Sequence, residues 1–297
     1  MKISLGISTC PNDTFAFHGL LTGAVTIPGI EFDIQLMDVQ ELNERLFRGE
    51  FMVAKASFHA ALLLADRYGV LSCGSALGFG VGPLLLAALP HSSPPPIEDG
   101  EARLESEIDW QSVVLCPGKW TTATLLYRLF YPRQGALRQV VFSEIMPALQ
   151  ERRAGFGVCI HEGRFTWQEQ GLSLVEDLGT RWETVTGQPL PLGGILIRLD
   201  LEKEMQQQVH RAIADSIQYG LSYRQETLST MRKYAQEFSD EVLFQHVDLY
   251  VNRWTVELGE QGELALRELY HRGVAAGVVL EGSDPLQVVR GEGQAGE

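Results

Sequence analysis

The chain has 297 residues, 45% of them hydrophobic and 21% charged, which is enough for one large or two medium domains and a core that needs no staples. A net charge of -14 and the lack of a basic stripe exclude nucleic acid and anionic lipid as natural partners. The four cysteines, at 10, 73, 116 and 159, stand singly, so no zinc or CxxC spacing is present and reduced thiols in a cytoplasmic protein are expected. The apolar opening at 3–7 is too short for a signal-peptide core, and the longest apolar run, Ala76 to Leu89, is broken by Gly78, Gly80, Gly82 and Pro83. No membrane span is therefore expected.

Ile3 to Ile7 reads as a first strand, followed by a turn at 9–14 rich in N-cap residues and a helix carrying Phe15, Phe17, Leu20 and Leu21 that stops at Gly23. Glu31 to Met37 alternates like a strand, with Phe32, Ile34 and Leu36 on one face. A helix from Val39 to Arg48 and a strand from Phe51 to Lys55 follow. Ser57 stands where the next helix needs its N-cap, so Lys55-Ala56-Ser57 is a second strand-to-helix junction. The glycine-rich stretch 74–82 lacks phosphate-loop spacing and reads as a bend where backbone approaches something closely. Pro90 to Gly100 has linker composition.

Beyond it, Ser112 to Cys116 is a strand, and 117–123 leads into a helix from Thr124 to Phe130. Thr121, Thr122 and Ala123 thus form a third junction, whose free N–H groups suit a carboxylate or phosphate. A strand at 139–142, a helix at 143–153 interrupted near Pro147, and a buried strand at 158–160 come next. That last strand stops at His161-Glu162-Gly163-Arg164, where an imidazole either pins its loop or faces a ligand. Strand 172–175 and a helix around 180–186 precede Pro189 to Ile197, which crosses back to the first domain. From Glu202 to Arg272 the chain is helical, and beyond Glu281 it is polar and glycine-rich.

This order predicts an α/β protein with two lobes: 1–88 with 194–280, then 89–193, and a flexible tail at 281–297. Polar groups gather at the three junctions, including Asn12, Asp13 and Thr14 at the first. A cleft that caps an organic anion beside one general base fits the pattern. There is no GxSxG elbow, position 165 is not the second His of a zinc motif, and no nicotinamide fingerprint appears. Proton-transfer chemistry without metal or cofactor is the remaining enzymatic option.

Several ordered stretches resemble the 1,4-dihydroxy-6-naphthoate synthase family of the futalosine route to menaquinone. They are Ser8 to Phe15, Val39 to Asn43, Lys55 to Phe58, Ser75 to Leu85, Pro117 to Ala123, His161 to Trp167, Asp177 to Gly179, Pro191 to Ile195, Ala235 to Glu237 and Leu249 to Asn252. The pattern departs at Gly155, at Tyr234 and in the long 90–109 region. The resemblance implies a periplasmic-binding-protein type II-like fold with the site in the interdomain cleft. It implies a lyase that converts cyclic dehypoxanthinyl futalosine to 1,4-dihydroxy-6-naphthoate, with His161 as proton acceptor. Lys55, Ala56, Ser57, Thr121, Thr122, Ala123, Asn12, Asp13 and Thr14 would hold a small-molecule carboxylate, with Glu162, Asp13 and Arg164 as unranked candidate acids and a homodimer allowed. Chorismate dehydratase of the same route and a non-catalytic solute-binding protein are the alternatives on the same fold.

Overall fold

Strand and helix patterns alternate from the first residue, and the computed structural model follows them; it describes residues 1–88, 113–132, 134–160, 163–234, 239–283 and 285–291. In chain order, β1 (Lys2–Ser8) leads to α1 (Pro11–Ala16) and α2 (His18–Thr22). Then come β2 (Glu31–Met37), α3 (Val39–Phe47), β3 (Val53–Ser57), α4 (Phe58–Leu63), β4 (Tyr68–Leu71) and β5 (Ala76–Gly78). The next group is β6 (Leu84–Ala87), β7 (Val113–Cys116), α5 (Thr122–Phe130), β8 (Ala136–Gln139), α6 (Ile145–Gln150), β9 (Phe156–Cys159), α7 (Gly163–Thr166), β10 (Ser173–Asp177) and α8 (Leu178–Thr186). β11 (Leu190–Arg198) opens the last stretch. It continues with α9 (Lys203–Ser222), α10 (Leu228–Tyr234), α11 (Asp240–Tyr250), α12 (Arg253–Val256), α13 (Gly259–Ala275) and β12 (Val288–Val289).

These elements form two compact units, Met1–Gly78 with Pro191–Glu297, and Phe79–Leu190. In the first, the sheet order is β12-β4-β11-β3-β1-β2, with β5 on β11. β1 runs parallel to β2 and β3, as helical crossovers require, so Ser8 and Ser57 end on the same edge. β11 is antiparallel to β3, and its register places Gly193 opposite Ser57. Ile3, Leu5 and Ile7 are fully buried and share a core with Val209, Ala212, Ile213 and Ile217 of α9. Phe15 of α1 packs with Leu228, Met231, Leu243 and Val247, which draws α10 and α11 against the first junction.

In the second unit the sheet order is β10-β6-β9-β7-β8. Leu84, Leu86, Leu115, Ile145 and Leu149 are buried in its core. β6 pairs with both β9 and β10, which places 79–88 in this unit instead of the first lobe expected from sequence. The strand expected at 139–142 instead lies at 136–139 as β8, where it pairs in register with β7. Val141 is 55% exposed and Phe142 begins a 3-10 turn. Pro147 does not interrupt α6: it lies in the first turn, where a helix makes no use of that N–H.

Two further differences concern glycine-rich segments. The bend at 74–82 contains a short strand, β5. The stretch expected as a flexible tail contributes β12, parallel to β4, with Val289 buried. The linker at 90–100 and the Ala235–Glu237 motif lie outside the described residues.

Candidate active site

At the edge where β1 and β3 end, the first unit gathers Asn12, Asp13, Lys55 and Ser57. Lys55 is the one lysine or arginine that is buried among the described residues, and its Nζ lies 2.9 Å from Asp13 Oδ1. The same ammonium donates to the Gly74 carbonyl at 3.3 Å. Asp13 accepts further hydrogen bonds from the Ser8 hydroxyl at 2.6 Å and from the Asn12 amide at 3.0 Å. Asn12 Oδ1 faces His246 Nε2 at 3.1 Å, so α11 braces the α1 turn. Asp13 thus faces the Lys55 ammonium and two neutral donors at once. Asp13 therefore serves as the counter-ion of Lys55, which removes it from the candidate acids.

The three junctions do not cap alike. Cys10 and Ser57 occupy the N-cap positions of α1 and α4 without a side-chain cap bond. Thr121 does cap α5: its hydroxyl accepts from Thr124 N and donates to the Gly118 carbonyl at 2.9 Å. Thr122 and Ala123 are the next two residues, both buried in the first turn of α5. Thr14, by contrast, is fully buried and its hydroxyl donates to the Cys10 and Pro11 carbonyls, so it serves α1 itself. Ala56 is fully buried as well and can offer only backbone groups.

Ser57 is engaged from an unexpected side. Asn43 Oδ1 accepts from Ser57 N at 3.0 Å, and Asn43 Nδ2 donates to Ser57 Oγ at 3.2 Å. Ser8, Asn43 and His246 are the polar neighbours that the sequence reading missed. The signal was present for two of them. Asn43 falls on the Val39, Leu42, Leu46 stripe and His246 on the Leu243, Val247, Tyr250 stripe, so a polar side chain was bound to be buried at each.

His161 and Glu162 lie outside the described residues. Their neighbours Ile160 and Gly163 are joined by a Gly163 N to Ile160 O hydrogen bond of 3.1 Å. Arg164 is spoken for: it donates to the Gly82 carbonyl at 2.6 Å and to Asp177 Oδ2 at 2.7 Å. Asp177 Oδ1 caps the first turn of α8 at Gly179 and Thr180. An always-charged guanidinium in that fork is a fastener for the 79–83 bend and a poor proton donor. Among the described residues no group of three His, Cys, Asp or Glu side chains is placed to hold a metal, and no helix is long and apolar enough to cross a membrane.

A 1,4-dihydroxy-6-naphtoate synthase of Thermus thermophilus is 38% identical over 287 residues, spanning 96% of this chain and 99% of that protein. One of Streptomyces coelicolor is 35% identical over 283 residues, 93% of this chain and 94% of that one. A crystal structure of an Archaeoglobus fulgidus protein superposes with a TM-score of 0.83 at 30% identity, covering 94% of this chain and 98% of that chain. The periplasmic aliphatic sulphonate binding protein of Escherichia coli superposes with a TM-score of 0.59 at 13% identity over 100% and 95% of the two chains, which shows the periplasmic-binding-protein-like fold. The family model described as menaquinone biosynthesis matches residues 3–275, and the chain belongs to that family.

Proposed function

We propose that this chain is the lyase that converts cyclic dehypoxanthinyl futalosine to 1,4-dihydroxy-6-naphthoate in menaquinone biosynthesis, in the cytoplasm and without a cofactor. The observation that carries the reading is the 38% identity to a synthase of that name across nearly the full length of both proteins. His161 takes a proton from the substrate, the ring opens, a fragment is eliminated, and formation of the aromatic naphthol makes the sequence irreversible. Lys55, Ala56, Ser57 and Asn12 hold the carboxylate substrate, with Asp13 fixing the Lys55 ammonium, and Thr121, Thr122 and Ala123 are further candidate contacts. Because Lys55 is neutralised by Asp13, recognition rests on directed hydrogen bonds more than on net charge.

The test is to mix the purified protein with cyclic dehypoxanthinyl futalosine and follow naphthoate by absorbance and mass. Turnover is expected in the wild type, with kcat reduced about 10²–10⁴-fold in His161→Ala and a smaller effect on KM. Tight binding of unchanged compound, without product, would favour a solute-binding protein. Turnover of chorismate instead would move the activity to the dehydratase.

A further inference from the structure

We infer that Asn43 is a positioning residue that turns the Ser57 hydroxyl into a directed hydrogen-bond donor for an acceptor oxygen of the ligand; this rests on the functional reading above. Asn43 is fully buried and Ser57 is 5% exposed, so neither depends on solvent for its geometry. The orientation of the Asn43 amide follows from chemistry. A backbone N–H can only donate, so the group facing Ser57 N at 3.0 Å is the amide oxygen, and the NH₂ must face Ser57 Oγ at 3.2 Å. Ser57 Oγ therefore accepts from Asn43, and its own proton points elsewhere.

That proton has no use inside the helix. A serine at an N-cap ordinarily accepts from the second or third helical N–H, yet Ser57, with φ -67° and ψ 144° in the capping region, makes no such bond to α4. Ser57 and Lys55 stand two residues apart on β3 and so project from one face of the strand. The same strand thus sends a hydroxyl donor and an ammonium toward one side, at the carboxyl-terminal edge where open α/β sheets bind ligands. The group recognised at Ser57 is an oxygen acceptor, carboxylate or carbonyl.

The critical variant is Asn43→Asp. It is nearly isosteric and still accepts Ser57 N–H, but its second oxygen accepts where the NH₂ donated, and it captures the hydroxyl proton. Wild type, Ser57→Ala, Asn43→Asp and the double variant are compared for kcat and KM with cyclic dehypoxanthinyl futalosine, with Tm recorded for each. Each single variant should lower kcat/KM about 10- to 100-fold, mainly through KM, the loss expected for one hydrogen bond to a charged or polar ligand oxygen. The double variant should be no worse than either single one, because both remove the same interaction. Should Asn43→Asp fail to fold, Asn43→Ala enters the same cycle, with the same sign expected.

A folded Asn43 variant with wild-type kcat/KM overturns the proposal. So do losses that simply add in the double variant, since they mark a structural role independent of Ser57. If the wild type neither turns over cyclic dehypoxanthinyl futalosine nor binds 1,4-dihydroxy-6-naphthoate, the functional reading fails and takes the ligand role of Ser57 with it. If the wild type is active and only the coupling is missing, the reading stands and this inference alone falls.

Discussion

Lys55 and Asp13, forty-two positions apart, meet as an ion pair of 2.9 Å with side-chain exposures of 8% and 5%. Deleting one member of a buried pair leaves the other charge without compensation. Asp13→Ala should therefore cost about 3–5 kcal/mol in unfolding free energy, measured by urea denaturation. The double variant Asp13→Ala with Lys55→Met should recover much of that loss, because a packed apolar side chain has no charge to strand. If the single and double variants unfold at the same urea concentration, the pair has no special energetic role.

The 79–83 bend is fastened to α8 by contact of backbone on backbone. A Cβ added at Gly82 would lie 2.2 Å from the Gly179 Cα, and one at Gly179 would lie 2.5 Å from the Gly82 Cα. Neither neighbour is a side chain that can swing away. Gly82→Ala and Gly179→Ala should each destabilise the second unit by more than the roughly 1 kcal/mol typical of point substitutions. Arg164→Ala, which removes the fork joining Gly82 to Asp177, should act in the same direction. Thermal unfolding followed by calorimetry checks all three, and a wild-type Tm for Gly82→Ala would contradict the close approach.

Burial lowers the pKa of His210 below its ordinary 6.5, while the nearby Glu257 opposes that shift. His210 Nε2 faces Ser72 Oγ at 2.8 Å, and Ser72 also donates to Glu257 at 3.1 Å. Since the unfolded chain takes up the proton at higher pH than the folded one, stability is complete above about pH 6.5 and is lost as pH falls toward the folded-state value. His18 is lowered for the same first reason, burial, and adds in the same window. Tm should fall between pH 7 and pH 5.5, and His210→Gln should flatten part of that slope. A Tm profile unchanged by the substitution would show that His210 does not contribute.

Periodicity by itself marks most of the elements. β2 at 31–37 and α3 at 39–47 follow directly from alternation and from the 3.6-residue stripe. β8 was not visible because its residues are half exposed at an edge and pairing alone selects them, while the apolar run beside it is spent on a turn. The unit boundary at 79 was misplaced for a related reason: β6 is apolar enough to suit either sheet, and only its partners β9 and β10 decide.

At the candidate site the junction residues Asn12, Asp13, Lys55, Ser57 and Thr121 could be listed from local pattern, but their roles could not. A capping motif looks the same whether the hydroxyl caps, as at Thr121, or is held for something else, as at Ser57. Thr14, a candidate substrate contact by its place in the first junction, is fully buried against its own helix.

Sequence alone determined the α/β class, much of the alternation of strands and helices through 198, and the family motifs that name the candidate residues, because these depend on spacing between near neighbours. Tertiary structure alone decided that Asp13 neutralises Lys55, that Asn43 holds Ser57, and that Gly82 lies against Gly179. Each pairing joins residues 14 to 97 positions apart, and only the packing of elements within each unit brings such groups within hydrogen-bonding or van der Waals distance.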